Sequence, residues 1–202
     1  MEEGVSTRWI MRDRRAPTGA SVLLSSHDRN AGVFTFRGAN TLLEESELRR
    51  EAFAADLVYI ANLSNQSADC FPGIIARAKA NGALVAANPG VRQLSARGGA
   101  FQDALSKIDI LAINHTEADV MVPSLVARFG EGGPALLFEG DGDVPLLASR
   151  GLSGGGFDMS LLAFLRAVRS LGPAHVLVTA GRAGAFIGLK DAILYCPSVQ
   201  TH

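Results

Sequence analysis

At 202 residues, with 48% hydrophobic, 19% charged and 22 glycines, the chain has the composition of one globular domain or a piece of a larger one, not of a disordered protein. Its 19 basic and 20 acidic residues leave a net charge of −1, which offers a polyanion no electrostatic footprint and argues against nucleic-acid binding. Cys70 and Cys196 lie outside any Cys-x-x-Cys or Cys/His cluster, and no apolar run nears the ~20 residues of a membrane helix, so the expectation is a cytoplasmic protein with free thiols.

In chain order, SVLLSS and GVFTFRG flank the polar tetrapeptide His27-Asp28-Arg29-Asn30, a hairpin signal, with Phe34 and Phe36 on one face of the second strand. From Thr41, the Thr41/Glu44 spacing and the recurrence of Leu48, Ala52 and Ala55 predict a capped helix. DLVYIAN, a helical SADCFPGIIARAKANG, ALVAANPG, a helical AFQDALSKI and DILAIN follow. This β-α-β-α-β alternation of apolar strands with helix-length segments predicts a parallel sheet covered by helices on both faces. Asn62, Asn88, Asn114 and Thr179 should then mark its carboxyl edge, where such sheets bind ligands. Between residues 130 and 156 the pattern weakens to a strand at ALLFEG and a flexible glycine connection at SGGG. A helix over FDMSLLAFLRAVRSLG and a strand at HVLVTAG restore the alternation, and GAFIGLK with AILYCPSV reads as a closing hairpin. No crossover helix follows that hairpin, so a fragment is expected.

Asn114 and Glu117 are the first candidates for chemistry. After a strand end, Asn-x-x-Glu places an amide and a carboxylate about one helical turn apart at the sheet mouth, which suits Mg²⁺ held through waters and substrate phosphates. The same residues also fit a plain helix start, with Thr116 as cap and Glu117 favouring the first turn through the dipole. In VLVTAGRAGAF, Gly181 and Gly184 follow a strand and could let backbone N–H groups face a phosphate, or simply make a tight turn. The stretch lacks the Gly-x-x-x-x-Gly-Lys-Ser/Thr of a P-loop, and no Gly-x-Gly-x-x-Gly follows the first parallel strand, which disfavours a dinucleotide oxidoreductase. Asp141-Gly142-Asp143 reads as a turn, Arg92 and Arg97 as solvent-facing, and the four histidines show no metal-ligand spacing.

Taken in order, these motifs resemble the ribokinase-like, PfkB-type carbohydrate kinases. APTGASVLL and VFTFRGAN match that family's β lid, LAINHTEAD its Asn-x-x-Glu region and VLVTAGRAGAF its nucleotide turn. The resemblance implies a β lid hairpin over residues 16–40 and an α/β kinase core over 41–202, incomplete at both ends, with a mostly parallel Rossmann-type sheet. It implies an enzyme that uses ATP and Mg²⁺ to phosphorylate a hydroxymethyl group of a sugar or related small molecule, or of a nucleoside. Asn114 and Glu117 would organise magnesium and phosphate, Thr179, Gly181 and Gly184 would lie near the nucleotide, and Asn62, Asn40 and Phe36 would face the substrate. It also admits a homodimer through the lid. Two departures stand out: the family's Gly-Gly sugar-binding segment ahead of the lid is missing, and so is the Gly-Ala-Gly-Asp motif with its general base. The resemblance therefore implies no catalytic residue in this chain and no turnover by the chain alone, and it leaves open a non-catalytic ligand-binding or interaction protein.

Overall fold

The computed structural model describes residues 4–25, 31–132, 145–190 and 192–199. Strands β1 (Thr18–Ser25) and β2 (Ala31–Gly38) pair antiparallel as a two-stranded sheet of their own. The polar tetrapeptide between them, ALLFEG and Asp141-Gly142-Asp143 lie outside the described residues.

No α-helix starts at Thr41. Its hydroxyl donates to Gly38 O (2.9 Å), and Leu43 N donates to Ser67 Oγ (2.9 Å), so the segment is tied to residues 67–70. The N-terminal box forms three residues later, where Glu44 N donates to Glu47 Oε2 (2.9 Å), and only 3-10 turns follow at Glu45–Glu47 and Arg50–Phe53. Tertiary anchoring has overridden the helical spacing.

The central sheet is built as the alternation predicts. Strands β3 (Leu57–Ile60), β4 (Leu84–Ala87) and β5 (Ile110–Asn114) run parallel, and the later strand β8 (His175–Thr179) pairs parallel with β5. Strands β9 (Ala185–Gly188) and β10 (Ile193–Cys196) close the far edge antiparallel, giving the order β10-β9-β8-β5-β4-β3. Between the strands lie α1 (Phe71–Ala80), α2 (Val91–Ala96), α3 (Gly98–Ala104), α4 (His115–Phe129), α5 (Leu146–Arg150) and α6 (Leu161–Ser170).

Residues 157–159 are not helical. Gly155 and Gly156, both at positive φ (58° and 84°), make a two-residue turn that pairs β6 (Leu152–Gly154) with β7 (Phe157–Met159). The expected glycine connection is thus a hairpin turn. The helix begins at Leu161, with Ser160 Oγ accepting from Ala163 N (3.2 Å). This small hairpin packs on α4, where Ser153 N donates to Asp119 Oδ1 (3.0 Å).

Among the described residues the buried strand side chains and the helices share one side of the sheet. β3, β4, β5 and β8 advance in one direction across the sheet, and right-handed crossovers then place every connecting helix on the same side. Val85, Ala87, Leu111, Ile113, Val176, Val178 and Phe186 point into one core cluster with the helix residues Ile75, Phe101, Leu125, Phe164 and Leu165. The alternate strand residues stay outside that cluster.

Candidate functional site

Asn114 ends β5 and Glu117 opens α4. The Asn114 side-chain oxygen accepts from Glu117 N (2.9 Å), while Glu117 Oε2 accepts from Asn114 N (2.9 Å). The reciprocal pair holds both side chains in fixed orientation and satisfies two backbone donors of the helix start. Asn114, not Thr116, is therefore the cap. Glu117 is only 8% exposed, and among the described residues nothing hydrogen-bonds to its Oε1, so one carboxylate oxygen remains for another partner.

Thr179 is the register partner of Asn114 on the adjacent strand β8. Both are exposed at the carboxyl edge of the sheet. The chain then turns through Gly181–Ala183, closed by Ala180 N donating to Gly184 O (2.8 Å) and Gly184 N to Gly181 O (3.1 Å). The two glycines differ in their surroundings. At Gly184 (φ 85°) a Cβ would lie 2.2 Å from Cys196 O, so the close approach of β10 explains that residue locally. At Gly181 (φ 55°) a Cβ would meet nothing within 4 Å, leaving open space over the backbone.

The three other sequence candidates lie elsewhere. Asn62 follows β3, two strands away from β5, which is about 10 Å at ordinary strand spacing. Its side-chain amide sits where a Cβ on Gly90 would be, 2.3 Å from the Nδ2 position. Asn40 and Phe36 belong to the β1–β2 unit, which is moored to the connection after β3: Ser67 Oγ donates to Asn40 O (2.8 Å) and Arg37 Nη1 to Ser64 Oγ (3.5 Å). Asn40 thus reaches the connection after β3 through its backbone carbonyl while its side-chain amide lies beside Gly19, and Phe36 is exposed on β2, so these residues are not brought together with Asn62; Asn114, Glu117, Thr179 and Gly181 gather at the β5–β8 mouth, with β4 between it and β3.

Some polar positions carried no sequence signal. Gln93 is 2% exposed and its Oε1 accepts from Leu63 N (3.4 Å), which ties α2 to the loop after β3. Arg92 is exposed, as expected, but Arg97 pairs with Asp69 (2.6 Å), and that guanidinium holds the Asp69 carboxyl below its usual range. Burial pushes the Cys70 thiol up, and its Sγ donates to Leu43 O (3.3 Å), so it is a packing residue rather than a nucleophile. Among the described residues no group of three or more His, Cys, Asp or Glu could by itself hold a metal, and no helix is long and apolar enough to cross a membrane.

Comparison with known proteins places this geometry in context. Residues 1–131 match the pfkB family of carbohydrate kinases. No curated protein matches the sequence. Among solved structures, a PfkB protein from Polaromonas sp. JS666 superposes with a TM-score of 0.66 at 14% identity, over 98% of this chain and 60% of that one. An adenosine kinase from Trypanosoma brucei brucei gives 0.66 at 14% identity over 96% and 54%, and a ribokinase from Thermotoga maritima 0.58 at 14% over 92% and 50%. The chain thus spans about half the length of the structures it resembles. At these identities the likeness shows the fold, a mixed α/β ribokinase-like architecture.

Proposed function

Because the chain belongs to the pfkB family of carbohydrate kinases, we propose that it carries the nucleotide-phosphate and magnesium-handling part of an ATP-dependent kinase acting on a hydroxymethyl group of a sugar or nucleoside. The observation that carries this reading is the register pair Asn114–Thr179, which sets the Asn114/Glu117 box beside the Thr179–Gly181 turn at one sheet mouth.

The residues present fit magnesium of the kind that accompanies a nucleotide. Such an ion keeps several waters and takes one or two carboxylates plus phosphate oxygens, so it needs no cluster of protein ligands. Glu117 can offer Oε1 while Oε2 stays engaged with Asn114 N. When bound, MgATP supplies the phosphoryl group and the charge that offsets its negative oxygens. The protein groups act by position. Asn114 fixes the Glu117 backbone, Glu117 is held by its own reciprocal bond, and the open backbone at Gly181 lets phosphate or ribose approach without a side chain in the way. Asn62, Asn40 and Phe36 form the substrate side under the β1–β2 hairpin, which acts as a lid and, in a homodimer, as the contact between copies. Residues 1–202 contain no Gly-Ala-Gly-Asp, so this stretch by itself should bind MgATP and transfer no phosphoryl group.

Calorimetric titration of the purified chain with ATP, with and without magnesium, tests the reading. Magnesium should strengthen binding, and Glu117→Gln should remove most of that gain while leaving magnesium-free binding unchanged, because glutamine keeps the hydrogen-bonding reach and loses the charge. Binding that is indifferent to magnesium in both proteins would reduce Glu117 to a helix-start residue.

A further inference from the structure

The loop after β3 and helix α2 enclose a cleft of about 200 Å³ whose lining carries cations and no acid. Ser64, Asn65, Arg92, Gln93, Ser95 and Arg97 supply its polar groups, and no Asp, Glu or His is among the residues that line it. Arg92 is exposed and pairs with no carboxylate among the described residues. Arg97 donates to Asp69 through Nε (2.6 Å) and Nη2 (3.3 Å), which offsets that acid and leaves Nη1 for another acceptor. Gln93 is 2% exposed; its Oε1 accepts from Leu63 N (3.4 Å), and its buried Nε2 meets no acceptor among the described residues. We propose that this cleft is a binding site for a small oxyanion, a carboxylate or phosphate group, separate from the nucleotide mouth at β5–β8.

The orphaned amide carries the argument. A buried N–H left unpaired costs about 1–3 kcal/mol, and native interiors rarely keep one. Turning the amide over would not relieve it, because Nε2 would then face Leu63 N, donor against donor. An acceptor brought by a ligand does relieve it, and a charged oxygen does so with about twice the strength of a neutral one. The two arginines select that charge, since a guanidinium offers a planar fork matched to carboxylate and phosphate oxygens. Size sets the limit. At roughly 30 Å³ per water the cleft has the room of about seven waters, below the roughly 300 Å³ at which pockets for whole small molecules begin. It therefore suits one charged group, either free or at the end of a longer molecule that extends into solvent. Its walls follow β3 and β4, whereas the nucleotide mouth belongs to β5 and β8. The inference is independent of the kinase reading, as it uses none of the residues assigned to nucleotide, magnesium or substrate.

Titration of the nitrogen-15 labelled chain with sodium phosphate, sodium gluconate and glucose, followed by NMR at constant ionic strength, tests it. Phosphate or gluconate should shift the Gln93 side-chain amide with a Kd of about 1 mM or below, and neutral glucose should not. A response to phosphate alone identifies a site for the free anion, and a response to gluconate alone one for a carboxylate on a longer molecule; both support the proposal. Arg92→Ala should raise that Kd about tenfold, while Arg166→Ala, an exposed arginine on α6, should leave it within about twofold. Gln93→Glu keeps an acceptor for Leu63 N but puts an anionic oxygen in place of the donor, and should abolish binding. Should that variant lose its fold, Arg92→Glu gives the same reading from an exposed side chain. A simultaneous shift at Gly181 N reports the nucleotide mouth and should not respond to Arg92→Ala. A Gln93 amide that no anion moves up to about 50 mM means a cleft that holds water only, and overturns the proposal. So do anion shifts confined to Glu117 and Gly181, or a Kd at Gln93 that Arg92→Ala leaves unchanged.

Discussion

Neighbouring residues of one strand meet opposite environments in this molecule. On β4, Val85 is fully buried under the helices while Leu84, one position earlier, is half in water. On β5, Leu111 and Ile113 are buried, and Ile110 and Ala112 only partly so. The side chains are of the same kind on both faces, so apolarity alone does not make a core. A second layer must be present to exclude water, and among the described residues only one face has it.

The sharpest way to break this comparison is a matched pair of truncations. Phe186→Ala, on the covered face, should cost about 3–5 kcal/mol in urea denaturation, because the cavity it leaves is lined by fixed neighbours. Leu194→Ala, on the open face of the next strand, should cost no more than about 0.5 kcal/mol at a concentration where the chain is monomeric. Equal losses would mean that the open face is covered in solution.

A smaller effect separates the two turn glycines. Gly184→Ala must adopt φ near 85° and displace Cys196 O from 2.2 Å, which should cost about 2–3 kcal/mol and loosen β10. Gly181→Ala meets only the conformational penalty, about 1 kcal/mol, and its expected effect is on MgATP affinity rather than on stability. If both glycines proved equally costly in thermal melts, the turn would be purely structural.

The smallest effect concerns the opposite edge of the sheet. Burial works to raise the Asp109 carboxyl, but its bonds to Lys79 and to Val85 N (2.7 Å) outweigh this and hold it below the usual range. A lowered folded-state pKa stabilises above the unfolded value of about 3.9, and the contribution is lost as pH falls through the folded-state value. Asp109→Asn should therefore destabilise by about 1 kcal/mol at pH 7, with the gap to the natural chain closing below about pH 4. A gap that stays constant down to pH 3 would show that the ion pair contributes nothing. Because Lys79 belongs to α1, this acid sensitivity should be confined to the covered side.

What could be read in advance followed from periodicity. The strand at DILAIN and its neighbours are apolar at consecutive positions and end on polar residues, so their parallel order and their carboxyl edge were legible, as was the closing hairpin. The segment after Thr41 was misread because its helical spacing competes with anchors supplied by Ser67 and Cys70, residues more than twenty positions away. The helix start at Leu161 was misplaced because Gly155-Gly156 fits a loose connection as well as a tight turn until the strands on either side pair.

At the site the division is the same. The sequence by itself determined which residue types stand at each strand end, since the 2.0 and 3.6 residue periods and the cap chemistry of Asn114 and Glu117 are local. Tertiary structure alone decided that Thr179 lies beside Asn114 with more than sixty residues between them, that Asn62 is separated from both by β4, and that the described helices pack on one side of the sheet. Strand order and layer coverage depend on crossover handedness and on which elements are present to cover a face, and neither is encoded within any short stretch of chain.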